Sequence, residues 1–184
     1  MKFYIVLFLL CIAFVSCSDG EIEKEDANEL AVSTENVSSP VLFEPFNNIE
    51  NMREKLSQSG IGQLHAWKSD EAGGYMSITP YYEFGSGIMK NNLAYYLTSE
   101  DPNRIYVLSL VLNIHNKSER KKALQKFSFI INQTRQALDL ENHSEMISLA
   151  LNPAEKTIRH ESFIEQLILE QTRIETWKYV IQTN

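Results

Sequence analysis

The stretch IYVLSLVLNIH, residues 105–115, decides the fold. Read with a period of two, Tyr106, Leu108, Leu110, Leu112 and Ile114 share one face. Ile105, Val107, Ser109, Val111, Asn113 and His115 share the other, which is half apolar. Alternating side chains are the signature of a strand, and a strand apolar on both sides belongs inside a sheet. Just before it, Asp101-Pro102-Asn103-Arg104 places Pro at the second turn position, where its fixed φ suits a tight turn. Residues 93–98 precede that turn and group Leu93, Tyr95 and Leu97, so the two segments are expected to pair as a hairpin.

Further upstream, Tyr75–Phe84 alternates with Met76, Ile78, Tyr82 and Phe84 on one side. Pro80 interrupts it and marks an edge strand or a bulge. Leu64–Lys68 reads as a short strand. Before it, Ile49, Met52 and Leu56 fall at helical spacing, Asn47 or Asn48 stands at the cap, and Gly60 ends the helix.

Downstream of His115 the period changes. Ser118 is placed to cap a helix reaching about Leu138, with Leu124, Phe127, Ile131, Thr134 and Leu138 on one stripe. Lys121, Lys122, Gln125, Arg135 and Gln136 lie mostly elsewhere. A second helix is expected over Ser144–Leu151. Phe163–Leu169 and Ile174–Gln182 read as a closing hairpin around Gln171-Thr172. Residues 155–169 stay open between strand and a helix starting with Pro153 behind Asn152. The expected class is α+β: a mainly antiparallel sheet, a four-strand meander plus a C-terminal strand or hairpin, with two or three packed helices. Residues 41–184 are the size of one domain.

The N-terminus is of a different kind. Met1-Lys2 is followed by thirteen apolar residues, FYIVLFLLCIAFV, residues 3–15. A membrane-spanning helix needs roughly 20, so the run reads as the apolar core of a cleavable signal peptide, residues 1–16. The string Phe14-Val15-Ser16-Cys17 resembles the lipobox of bacterial lipoproteins, with Phe14 where most carry Leu or another aliphatic. The resemblance covers about twenty residues. It implies a diacylglycerol on Cys17, cleavage before it, and fatty acylation (palmitate or similar) of the new amine. Cys11 lies inside the signal peptide, so Cys17 is the mature chain's one cysteine and no internal disulfide can form.

Residues 17–40 then form a tether. Within it Asp19, Glu21, Glu23, Glu25, Asp26, Glu29 and Glu35 oppose only Lys24. So much charge with no aromatic ring cannot bury enough surface to offset ordering, and disorder is expected. An acidic stretch behind the lipid cysteine resembles the export signal of surface-exposed lipoproteins of Bacteroidota, and Ser18 at the next position implies the outer membrane. Of the formal −7 of the whole chain, −6 lies in this stretch. Residues 41–184 hold 17 acids against 15 bases. A nearly neutral domain lacks the basic face that nucleic acid requires.

Chemistry-bearing motifs are sparse. His65, His115, His143 and His160 show no metal-ligand spacing. His160-Glu161 opens an H-E-x-x-H pattern that Ile164 breaks. Gly85-Ser86-Gly87 lacks the G-x-S-x-G spacing of a nucleophile elbow and reads as a turn. Lys117, Arg120, Lys121, Lys122 and Lys126 cluster at a helix start, against the helix dipole, which points to an acidic partner or to the acidic tether folding back, the plainer alternative being a solvated helix face. Tyr75, Tyr81, Tyr82, Tyr95 and Tyr96 gather around the middle strands. Arg120, Lys121, Lys122, Tyr81 and Tyr82 are therefore the candidate interaction residues. No catalytic, metal-binding or cofactor-binding residue is assigned. The expected function is a non-enzymatic binding module anchored to the outer membrane by lipid, immunity to a secreted toxin being one version. Its partner is an envelope protein or ligand that the residues do not name. The alternative is a small envelope hydrolase.

Overall fold

The computed structural model describes residues 42–184 apart from 142, 143 and 153. The signal peptide, Cys17, the acidic tether, His143 and Pro153 lie outside the described residues. One antiparallel sheet of eight strands organises this region. Its strands are β1 (Lys68–Ser69), β2 (Tyr75–Ile78), β3 (Tyr82–Phe84), β4 (Asn91–Ser99), β5 (Val107–Ile114), β6 (Lys156–Arg159), β7 (Phe163–Gln171) and β8 (Glu175–Thr183). Their order is β1-β2-β4-β5-β8-β7-β6, with β3 also on β4. The strand read as central is central. The sheet is larger than a four-strand meander: two meanders join where β5 pairs with β8 (Leu110↔Tyr179, Leu112↔Trp177). Lys156–Arg159 and Phe163–Gln171 are strands, which settles the open choice for those parts of 155–169.

The helices are α1 (Ile49–Ser57), α2 (Arg120–Ala137) and the short α3 (Ser144–Leu151). Asn48 caps α1 by accepting from the Asn51 amide at 3.1 Å, and Gly60 takes φ +83° just beyond its end. The stripe Leu124, Phe127, Ile131 and Thr134 of α2 is fully buried against the sheet. Met52 and Leu56 of α1 join the same core, together with Leu93, Leu97, Leu108, Leu110, Leu112, Trp177 and Ile181.

Several expectations need correction. Residues 64–67 form no strand. The Leu64 and His65 carbonyls accept from the Arg53 guanidinium, and that of His65 also from the Ser77 hydroxyl, so side chains satisfy what a ladder would. Tyr75–Phe84 does not keep one face: it breaks into β2 and β3 along β4. Ser77 and Thr79 are buried beside Leu97 and Tyr95, which puts Met76 and Ile78 on the opposite side. Past Pro80 the phase reverses, and Tyr82 and Phe84 pack against the core. Phase also changes before β5. Ile105 is buried because its amide donates to the Phe46 carbonyl at 2.9 Å, while Tyr106 is half-exposed. Ser118 is not the cap of α2. A 3-10 turn, Lys117–Glu119, precedes the helix, and Asn116 caps it by accepting from the Ser118 amide and hydroxyl.

Candidate functional site

Among the described residues the helices cover one face of the sheet and leave the other open. On the open face, alternate residues of β4, β5 and β8 line up in register. Asn92, Asn113 and Thr176 form a polar ladder: the Asn113 amide donates to Asn92 Oδ1 at 2.9 Å, and the Thr176 hydroxyl donates to Asn113 Oδ1 at 2.8 Å. His115, at the end of this ladder, places Nε2 3.3 Å from Asn92 Nδ2. Small apolar residues, Ala94, Val111 and Val180, fill the middle of the face. Above it stands the Tyr81–Tyr96 pair, hydroxyls 3.0 Å apart. Burial, then the bond to Tyr81, pushes the Tyr96 hydroxyl pKa up to about 12.

Two concavities open on this face. One of about 360 Å³ lies between Tyr81, Tyr96, Asn113, Thr176 and Lys178. The other, of about 790 Å³, is bordered by Asp70, Glu100, Thr98, Tyr106 and Gln182. The floor is thus hydroxyl and amide, the walls aromatic, with carboxylates at one end and the Lys178–Glu170 ion pair beside the tyrosines. Such a surface can hold an extended polar partner through hydrogen bonds and ring contacts; nothing in it forms a nucleophile–base pair.

The covered face carries the group that the sequence reading missed. Arg135, placed on the polar side of its helix by periodicity, is 1% exposed. It forms an ion pair with Glu165 of β7, itself 0% exposed. The Tyr179 hydroxyl donates to the same Glu165 oxygen at 2.6 Å, and His160 Nε2 lies 3.3 Å from the other oxygen. Arg135 also donates to the Glu141 carbonyl at 2.5 Å. Burial is the largest influence and opposes the Arg135 charge, but Glu165 and Tyr179 together outweigh it and hold the guanidinium pKa above its ordinary value. Burial, then Glu165, drives the Tyr179 hydroxyl well above its own. A histidine, a carboxylate and a hydroxyl are joined here, but Glu165 and Tyr179 are sealed in the core, beyond reach of a substrate. The signal that would have found Arg135 is its partner: Glu165 stands at a core position of β7, between Phe163 and Leu167, and a buried carboxylate requires a cation.

The candidate interaction residues are not brought together as one surface. Tyr81 belongs to the open face. Tyr82 lies on the helix side under Lys126, whose ammonium is 5.2 Å from its ring centre. Arg120 is held by Glu175, with Nε 2.9 Å from both carboxylate oxygens. Burial raises the Glu175 pKa, and Arg120 and the Trp177 indole N–H reverse this, leaving it below its ordinary value. Lys121 and Lys122 are exposed beside it. Gly85-Ser86-Gly87 is a clasped turn: Glu119 accepts from the Ser86 amide at 2.8 Å and its hydroxyl at 3.1 Å. A side chain at Gly85, where φ is +94°, would collide with that carboxylate.

Among the described residues no three His, Cys, Asp or Glu are grouped to hold a metal ion, and no helix is long and apolar enough to cross a membrane. The chain matches no family model, no curated protein sequence and no solved structure.

Proposed function

We propose that this chain is an outer-membrane lipoprotein, anchored through Cys17, whose domain is a non-enzymatic binding module. The open sheet face is its binding surface. The observation that carries this reading is that face itself: an aromatic pair over a ladder of amides and hydroxyls, with no helix upon it among the described residues. An envelope protein or an extended polar ligand fits it, and immunity to a secreted toxin is one form this takes. A reading as a small envelope hydrolase would rest on His160, Glu165 and Tyr179, and the burial of Glu165 and Tyr179 counts against it.

Two experiments test the proposal. Cross-linking in the native envelope should capture a partner with the wild type and lose it with Tyr81→Ala/Lys178→Glu; an unchanged capture would move the binding surface elsewhere. Metabolic labelling with a fatty acid should mark the wild type and miss Cys17→Ala; equal labelling of both would sink the anchor.

A further inference from the structure

Strand register sorts the loops into two ends. Phe84↔Asn91, Ile114↔Glu175 and Gln171↔Glu175 lie at one end; Tyr75↔Ser99, Val107↔Gln182 and Phe163↔Thr183 lie at the other. The second end gathers Asp70, Glu71, Glu100, Asp101 and Glu161 against Lys68, Arg104 and Arg159, with Arg104 3.4 Å from Asp101. The first end gathers Lys90, Lys117, Arg120, Lys121, Lys122 and Arg173 against Glu83, Glu119 and Glu175; Glu119 holds Ser86 and lies 3.6 Å from Lys122, Glu83 lies 3.8 Å from Lys90, and Glu175 pairs with Arg120. A domain almost neutral in sum is therefore polarised, with bases in excess at the first end and acids at the second.

From the cationic end projects the β3–β4 turn. Its tip is Ile88, fully exposed, followed by Met89 at 61%. Two large aliphatic side chains held in water are unusual, and here the turn is not loose. Its root is clasped by Glu119 on Ser86, and by the Asn116 side-chain amide donating to the Ser86 carbonyl at 3.0 Å. Asn116 is itself tied to the sheet by its amide, which donates to Asn91 Oδ1 at 2.8 Å. The result is an exposed apolar tip whose root is fastened to Asn116 and Glu119, in the segment that also carries Lys117, Lys121 and Lys122, with Lys90 next along the chain.

We propose that this end docks on an anionic phospholipid bilayer: Ile88 and Met89 enter the headgroup–acyl boundary and the lysines bind the lipid phosphates. An exposed apolar tip at an end with bases in excess matches a soft negative plane, where aliphatic insertion and electrostatic attraction add. A folded acidic protein would satisfy the lysines and leave the tip unexplained. This contact is independent of lipid on Cys17 and of the open face.

The test places an environment-sensitive fluorophore at Ile88→Cys, or at Ala72→Cys on the acidic end, in the full chain with Cys11→Ala and Cys17→Ala. Vesicles are phosphatidylcholine alone or with an equal part of phosphatidylglycerol. The label at 88 should shift to the blue on anionic vesicles only, whether or not the N-terminal segment also holds the chain there, and the label at 72 should not. Lys121→Glu/Lys122→Glu should raise the lipid needed by about tenfold or more, given the weight of each basic residue at such a surface. Added salt should weaken the contact. No shift at 88, an equal shift on neutral vesicles, or an equal shift at 72 overturns the proposal. So does a label that stays in water on vesicles but responds to poly-glutamate, which would assign this end to an acidic protein.

Discussion

The same three strands, β4, β5 and β8, present two faces of opposite character. Toward the helices, Leu93, Tyr95, Leu97, Leu108, Leu110, Leu112, Trp177, Tyr179 and Ile181 are at most 2% exposed. Toward the open side, Asn92, Tyr96, Ser109, Asn113, Thr176 and Lys178 are all half-buried. Backbone pairing is shared, so the difference is made by cover. Under the helices a polar group must be matched completely, because no water can substitute. On the open face water can take any place a partner leaves. Equivalent chemical changes should therefore cost far more on one face than on the other.

Arg135→Ala should give the largest effect. It leaves Glu165 charged in the core, and breaking a buried pair from one side costs about 3–5 kcal/mol. Replacing both partners, Arg135→Met with Glu165→Leu, should recover much of that loss, although Tyr179 then keeps an unmatched hydroxyl. Denaturant midpoints of the single and double variants decide the point. A near-silent Arg135→Ala would mean that water reaches the pair and the face is not sealed.

Leu110→Ala comes next, at about 2–5 kcal/mol for a buried leucine. Ser109→Thr, its neighbour on the open face, should cost well under 1 kcal/mol, within the range of surface changes. If the two midpoints moved equally, the faces would not differ in cover.

How legible this contrast was in the sequence depends on what each residue has beside it along the chain. The even-numbered leucines of β5 announced a strand and a covered face by themselves, because alternation is local. So did the turn at 101–104 and the stripe of α2. The second meander beside β5 was only half readable, since β6 is short and exposed and its pairing with β7 depends on register alone. The phase changes at Pro80 and at Ile105 were not readable. The first needs β4 to hold both β2 and β3; the second needs the Phe46 carbonyl, 59 residues away. Arg135 shows the same limit: helical periodicity assigns it to water, and only Glu165, 30 residues on, draws it inside. The open face was legible as a half-polar pattern, but the ladder that joins Asn92, Asn113 and Thr176 is a property of pairing.

A smaller effect follows from pH. Burial pushes the Tyr95 hydroxyl up to about 12 from 10.0. Its raised value means that the folded state keeps the neutral form, so the stabilisation is complete below pH 10 and is lost as pH rises toward 12. The loss should be on the order of 2–3 kcal/mol. Tyr95→Phe should cost about 1 kcal/mol at neutral pH, through the bond to Thr134 at 2.7 Å, and should remove that share of the alkaline loss. Melting curves between neutral pH and pH 11 test this; an unchanged alkaline slope in Tyr95→Phe would place the titrating group elsewhere.

The smallest effect sharpens the comparison most, because it sets adjacent residues on opposite faces against each other. Tyr95 and Tyr96 both titrate at about 12. For Tyr95 burial alone raises the value, and the Thr134 hydroxyl works to lower it. For Tyr96 burial leads, and the Tyr81 hydroxyl adds to it. Removing the partner should therefore move the two in opposite directions. Thr134→Val should drive the Tyr95 pKa higher still. Tyr81→Phe should bring the Tyr96 pKa down from about 12 toward 10.0, but not all the way, since burial remains. In stability Tyr81→Phe should cost no more than about 0.5 kcal/mol, because water replaces the lost hydroxyl on an open face. Phenolate absorbance during an alkaline titration separates the two tyrosines through their single variants. If Tyr81→Phe left every midpoint in place, the Tyr81–Tyr96 pair would not persist in solution, and the wall of the proposed binding surface would have to be drawn without it.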